Sequence, residues 1–128
     1  MTIDRSIDIE DAIREAIAPY LTIYCRPLPA SFQLPCLLVT AAGGTQGERT
    51  LDTFTVSLQS RAEGESDAYA YLRTACALLQ KIAEDQTTNI NYVRVNSHGS
   101  WGSDPVRPDL ALCEATLLIS AHTEKVEV

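Results

Sequence analysis

The stretch TFTVSLQS, residues 53–60, decides the fold because apolar and polar side chains alternate from Thr53 to Gln59. Phe54, Val56 and Leu58 fall on one side of an extended chain, and threonine, serine and glutamine fall on the other. This period of two predicts a half-buried strand with one face in water.

The preceding segment predicts a second strand beside the first. CLLVTAA, residues 36–42, is a continuous apolar run and predicts a strand that is buried on both faces or nearly so. GGTQGERT, residues 43–50, separates the two strands and predicts a turn or a longer flexible loop. The two strands are therefore expected to form an antiparallel hairpin.

A helix is predicted on each side of this hairpin, over residues 8–21 and 66–85. Asp8 or Ser6 suits the start of the first helix, and Pro19 ends that helix or kinks its last turn. The second helix is expected to be capped by the serine with which it begins. The apolar stripes are Ile9, Ala12, Ile13, Ala16, Ile17 and Tyr20 in the first helix, and Ala68, Leu72, Ala75, Leu79 and Ile82 in the second.

Three further strands are predicted at residues 22–25, 90–96 and 110–121. Residues 26–35 contain three prolines and predict an extended arm or a long loop, because proline cannot donate to a sheet ladder. Residues 122–128 predict a frayed tail or an extension of the sheet edge.

The resulting order, α-β-β-β-α-β-β, predicts an α+β fold. We expect a mainly antiparallel (mixed) β-sheet with two helices packed on one face. The length suits a single domain over residues 1–128.

The charge balance bears on the class of partner. Lys and Arg total 10 against 17 Asp and Glu, which gives a net charge of -7. This sign opposes tight binding to a phosphate backbone, but it does not exclude a protein through which DNA slides without sticking. No signal peptide and no apolar run of about 18 residues is present, so synthesis in the cytoplasm without membrane insertion is expected.

The cysteines lie at positions 25, 36, 76 and 113, without the CxxC spacing of a zinc or redox site. Three of them lie in apolar runs, where a free thiol packs as a small hydrophobic group. Reduced thiols in a reducing compartment are expected, and a Cys25–Cys36 disulfide is the alternative.

SHGSWGSDP, residues 97–105, places histidine, serine and aspartate in one short segment. A Ser–His–Asp triad usually draws its members from separate elements, and glycine, serine, aspartate and proline together favour a turn. AAGGTQG, residues 41–47, lacks the GK[ST] of a phosphate-binding loop. His98 and His122 have no HxH or HExxH partner. No catalytic residue, cofactor or metal is therefore predicted.

Several features occur in a definite order along nearly the whole chain. After the amphipathic helix come LPCLLV (34–39), a Gly-Gly pair (43–44), TLDTFTVSLQSRA (50–62), a helix beginning SDAYAYLRTACALLQ, a strand, GSWGSDPVRPDL (99–110) and a long final strand. This order resembles that of the tail terminator (tail completion) proteins of long-tailed bacteriophages, including lambda-like ones.

The resemblance implies a structural virion protein, not an enzyme. Members of this family form a homo-hexameric ring at the head-proximal end of the tail, where it caps the tail tube and stops polymerisation. The implied partners are further copies of the chain, the major tail tube protein and the head completion or connector protein. DNA would pass through the ring without sequence-specific binding.

Contact residues are predicted on physical grounds, since the resemblance supplies no invariant residue. The candidate contact segments are residues 27–35, 43–50 and 97–108. Arginine and tryptophan dominate interface energetics, so the predicted contacts are Arg49, Trp101 and Arg107. A lone tryptophan in such a segment either folds back onto the sheet or anchors a partner.

Other functions remain open at this stage. A different small phage neck or head–tail connector protein would have a similar size and fold. A non-phage α+β ligand-binding module would have a deep apolar pocket and no ring. A small enzyme would need a pocket that contains a perturbed acid or base.

Overall fold

A five-stranded sheet with two helices on one face forms the body of the protein. The computed structural model describes residues 1–48 and 50–128, without the side chains of Glu48 and His98. The elements are β1 (Thr2–Arg5), α1 (Ile9–Ile17), β2 (Ile23–Cys25), β3 (Cys36–Glu48), β4 (Leu51–Ala62), α2 (Glu65–Asp85), β5 (Ile90–Ser103), β6 (Ala111–His122) and β7 (Glu124–Glu127). The sheet order is β2-β3-β4-β6-β5, with β2 parallel to β3 and the other neighbours antiparallel. The predicted α+β class is confirmed.

The core lies between the sheet and the helices. Val56 and Leu58 of β4 point into it and are fully buried, as their alternation predicts. Leu72 and Leu79 of α2 cover them from the other side, again with no exposed surface. Burial of each such side chain stabilises the fold by about 1.5–3 kcal/mol. The apolar positions of β6 complete this layer: Cys113, Ala115, Leu117, Ile119 and Ala121.

Both helices differ from their predicted bounds. Helix α1 begins after Asp8, whose Oδ1 accepts a hydrogen bond from the Asp11 amide at 3.2 Å. It ends at Ile17 because Pro19 has no N–H to continue the hydrogen-bond ladder, so Tyr20 leaves the apolar stripe and is 69% exposed. Helix α2 begins one residue early, with a glycine at the N-cap in place of the predicted Ser66.

The two glycine-containing segments belong to strands, so the loops predicted at 43–50 and 97–105 are largely wrong. Strand β3 continues through Glu48, and β5 continues through Ser103. Gly43, with a φ of 146°, and Gly99, with a φ of 88°, lie at irregularities in strand pairing. Glycine tolerates such angles, and it therefore marks β-bulges in long strands here, not loops.

The two ends of the chain form a small second sheet. Strand β1, which the sequence pattern did not predict, pairs antiparallel with β7 in the segment expected to be a tail or an edge extension. Charges oppose each other across the pair: Arg5 lies 2.6 Å from Glu124, and Lys125 lies 3.1 Å from Asp4.

The four cysteines are free thiols, and the alternative of a Cys25–Cys36 disulfide is wrong. Cys36, Cys76 and Cys113 are buried, and Cys25 is partly buried. The proline-rich segment between Cys25 and Cys36 contains cis peptide bonds before Pro27 and Pro35.

Candidate functional site

Trp101 lies near the end of β5, on the sheet face that the helices cover. It pairs with Cys113 in the β5–β6 register and is 48% exposed. Its indole lies 6.1 Å from the Tyr69 ring of α2, tilted by 50°. The Arg73 guanidinium lies 4.9 Å from the centre of the same tyrosine ring. Trp101 therefore folds back onto α2 with one part of its ring and leaves the other part open to a partner.

A cleft of about 310 Å³ opens beside this tryptophan. One wall is formed by residues 101–103 and the other by residues 108–111, and Glu63 and Glu65 complete the lining. The lining combines an aromatic face with carboxylates. Such a lining favours a partner side chain that is cationic at its tip and apolar along its stem.

Asp104 follows β5 directly and is buried, at 4% exposure, against Arg61 of β4. Its Oδ2 accepts a hydrogen bond from Arg61 Nε at 2.6 Å. Its Oδ1 accepts hydrogen bonds from the backbone amides of Val106, at 2.8 Å, and Arg107, at 3.0 Å. The carboxylate thus fastens the turn after β5 to the end of β4. Residues 108–111, which follow this turn, form the second wall of the cleft.

The pKa of Asp104 reflects opposing effects. Burial is the largest and raises the pKa. The hydrogen bonds from Arg61 and from the Arg107 and Val106 amides, together with the Arg61 charge, outweigh burial and lower the pKa below its ordinary value. Asp104 is therefore a structural carboxylate that remains ionised.

The structure describes the surroundings of two of the three predicted contact residues. Trp101 is half exposed beside the cleft. Arg107 lies on the adjoining turn, where its guanidinium pairs with Asp109 at 3.1 Å. Arg49 lies outside the described residues.

The segment that suggested a triad does not supply a free carboxylate, because both oxygens of Asp104 are already hydrogen-bonded. Ser100 and Ser103 are exposed, and the side chain of His98 lies outside the described part. Within the described residues, no group of three or more His, Cys, Asp or Glu side chains could hold a metal ion. Neither described helix is long and apolar enough to cross a membrane.

Sequence reasoning missed Asp52, at the start of β4. Asp52 is 3% exposed, and neither carboxylate oxygen has a hydrogen-bond partner among the described residues. It lines a cleft of about 270 Å³ together with Ser6, residues 44–46 and Phe54. Extending the alternation of 54, 56 and 58 back by one step would have predicted Asp52 to point inward.

A third and larger cleft, of about 530 Å³, lies beside Tyr71 of α2. Its lining is mainly apolar and includes Leu21, Leu34 and Pro35, with Glu63 and Asp67 at one side. The Tyr71 hydroxyl accepts a hydrogen bond from the Thr22 amide at 2.6 Å, which holds the start of β2 against α2.

No family model matches the chain, and no curated protein matches it significantly.

Proposed function

We propose that the chain is a ring-forming tail terminator of a long-tailed phage. The ring would cap the tail tube, stop its polymerisation and provide the surface for head–tail joining. Recognition would depend on surface complementarity without catalysis or a cofactor. The order of elements that resembles this family supports the proposal, as does the α+β fold.

One observation carries the proposal. Most of the residues in two of the three candidate contact segments are in strands, since β3 includes residues 43–48 and β5 includes residues 97–103. A hydrogen-bonded strand loses less conformational freedom on docking than a loop does. Long paired strands that end in exposed residues therefore suit a permanent assembly surface.

The charge and the exposed aromatic residue add support. A net charge of -7 disfavours tight contact with DNA phosphates, as a ring around a moving duplex requires. Trp101 is a large aromatic side chain that keeps 48% of its surface exposed beside a cleft, as an interface anchor would. A head-to-tail contact between copies that closes on itself gives a finite ring.

The test is light scattering on a size-exclusion column at low and high protein concentration. Six chains of 14.0 kDa give a closed ring of roughly 84 kDa. Electron microscopy would then show a central hole. A protein that is monomeric at every concentration and also fails to stop the growth of its own phage's tail tubes would overturn the proposal.

A matched pair of variants connects this test to the candidate site. Trp101→Ala should reduce ring formation or tube capping by tenfold or more. Tyr20→Ala removes another exposed aromatic ring, at 69% exposure, which does not line the cleft. It should leave both properties unchanged.

Two alternatives give different results in the same experiments. Another neck or connector protein would form a ring that does not stop tube growth. A ligand-binding module is favoured by the 530 Å³ cleft beside Tyr71 and would remain monomeric. Binding of apolar small molecules that Tyr71→Ala abolishes would support the module.

A further inference from the structure

The buried carboxylate of Asp52 requires a partner that the described part of the chain does not provide. It lies beside Ala121 and Gln46 in the strand registers, and Ala121 is fully buried. Neither of its oxygens receives a hydrogen bond within residues 1–48 and 50–128. An unpaired carboxylate inside a protein is strongly unfavourable, so a cation brought by another molecule would stabilise it.

Both oxygens are buried and lack a hydrogen-bond donor among the described residues, which favours a guanidinium over other cations. A planar guanidinium donates two parallel N–H groups and matches a carboxylate with two free oxygens. The adjoining cleft, about 270 Å³, has room for such a group. Its remaining lining includes a serine, a threonine and a glutamine, whose side-chain oxygens can accept hydrogen bonds from the other N–H groups of a guanidinium.

The chain itself carries a suitable donor on another surface. Arg94, on β5, is exposed. Among the described residues, Arg94 alone of the lysines and arginines lacks a carboxylate or aromatic partner. A long flexible side chain at an exposed edge of the sheet can reach into a neighbouring molecule.

These two groups cannot meet within one molecule. Asp52 points toward the helices, as do Val56 and Leu58 on the same strand. Arg94 pairs with Leu118 and points to the opposite face of the sheet, two strands away. A head-to-tail ring joins two different surfaces of identical chains, so an unpaired anion and an unpaired cation on separate surfaces are complementary.

We infer that Arg94 of one copy inserts its guanidinium beside Asp52 of the next copy, and that this ion pair joins the subunits of the ring. The inference rests on the proposed ring. It adds the residues of the contact between copies, which the resemblance does not supply.

The test compares Asp52→Asn with Arg94→Gln in the full chain. Asp52→Asn should raise the melting temperature of the dilute, unassembled subunit, because it removes an unpaired buried charge. Arg94→Gln should leave that melting temperature unchanged. Both variants should raise the protein concentration needed for half-maximal ring formation or tube capping by at least tenfold.

A mixture of the two variants gives a sharper result. Arg94 of the Asp52→Asn chain can still pair with Asp52 of the Arg94→Gln chain, whereas the reverse contact lacks both charges. Mixing the variants, each with a different fluorescent label, should therefore produce mixed dimers of roughly 28 kDa that neither variant forms alone. Lys81→Gln is a control at an exposed ion pair away from both groups and should assemble like the parent chain.

Three results would overturn the inference. One is a lower melting temperature for Asp52→Asn, which would assign the carboxylate to the subunit's own fold. Another is normal assembly of Arg94→Gln, which would remove the proposed donor while leaving the ring intact. The third is stabilisation of the parent chain, but not of Asp52→Asn, by millimolar Ca²⁺ or Mg²⁺, which would make the site a metal site. If the parent chain neither forms rings nor caps tubes, the proposed function itself fails.

Discussion

Strand β4 buries an ionisable group near each end, and the two groups have opposite surroundings. Near the end of the strand, the Arg61 guanidinium meets Asp104, whose carboxylate accepts three hydrogen bonds. Near its start, roughly 30 Å away, the Asp52 carboxylate accepts none from the described residues. The first pair is formed within one chain, whereas the second carboxylate has no hydrogen-bond donor among the described residues.

The largest expected effect on stability comes from breaking the Arg61–Asp104 ion pair. Asp104→Asn should lower the free energy of unfolding by about 3–5 kcal/mol, because the buried Arg61 guanidinium loses its counter-charge. Urea unfolding followed by circular dichroism measures this loss. A double variant, Arg61→Met with Asp104→Leu, should recover part of the loss because no unpaired charge remains.

The matched control for this loss is Asp109→Asn, which removes an exposed carboxylate from Arg107 on the same turn. It should change the unfolding midpoint little, since solvent screens exposed pairs. Equal effects of Asp104→Asn and Asp109→Asn would show that the Arg61–Asp104 pair is not sealed from water in solution.

Removal of the unpaired Asp52 carboxylate should have the opposite effect on the free energy of unfolding. Asp52→Val removes the buried carboxylate and should raise the free energy of unfolding of the unassembled subunit by about 1–3 kcal/mol. The same urea experiment on dilute protein measures the gain. Thr55→Val, on the same strand but on its exposed side, controls for the strand preference of valine and should stay within about 0.5 kcal/mol of the parent.

The Arg61–Asp104 pair should also respond to acid. The pKa of Asp104 is lower in the folded protein than its ordinary value of 3.8, so the folded state favours the ionised form. This contribution to stability is complete above the unfolded pKa and is lost as the pH falls through the folded pKa. Urea midpoints measured from pH 5 to pH 2 should therefore fall less steeply for Asp104→Asn than for the parent chain. Identical slopes would contradict the lowered pKa.

The sequence indicated the body of the fold more fully than its charged ends. Alternation at Phe54, Val56 and Leu58 and helical spacing in α2 depend on local periodicity, which the sequence displays directly. The extent of β3 and β5 was missed because Gly43 and Gly99 suggested loops, whereas pairing with β4 and β6 makes them bulges within strands.

The candidate site depends on contacts between residues that are distant in sequence. Asp104 resembled a turn or triad residue, and its partner Arg61 lies 43 positions earlier, beyond the reach of any local pattern. Trp101 left two alternatives open, and the nearby Tyr69 ring shows that it folds back while remaining half exposed. Strand parity would have turned Asp52 inward, but only the three-dimensional structure shows that no described donor reaches it.

The smallest expected effect is a change in thiol reactivity beside the paired end. Burial raises the pKa of Cys36 to about 11, while the nearby Arg61 charge lowers the pKa and the Asp104 charge raises it. Asp104→Asn removes the charge that disfavours the thiolate, so the pKa of Cys36 should fall and alkylation at pH 8 should speed up. Cys76, whose pKa burial also raises to about 11, lies in α2 and reports global unfolding alone. Mass spectrometry of labelled peptides should show a higher Cys36-to-Cys76 rate ratio in the variant; an unchanged ratio would mean that Asp104 does not act locally on this end of β4.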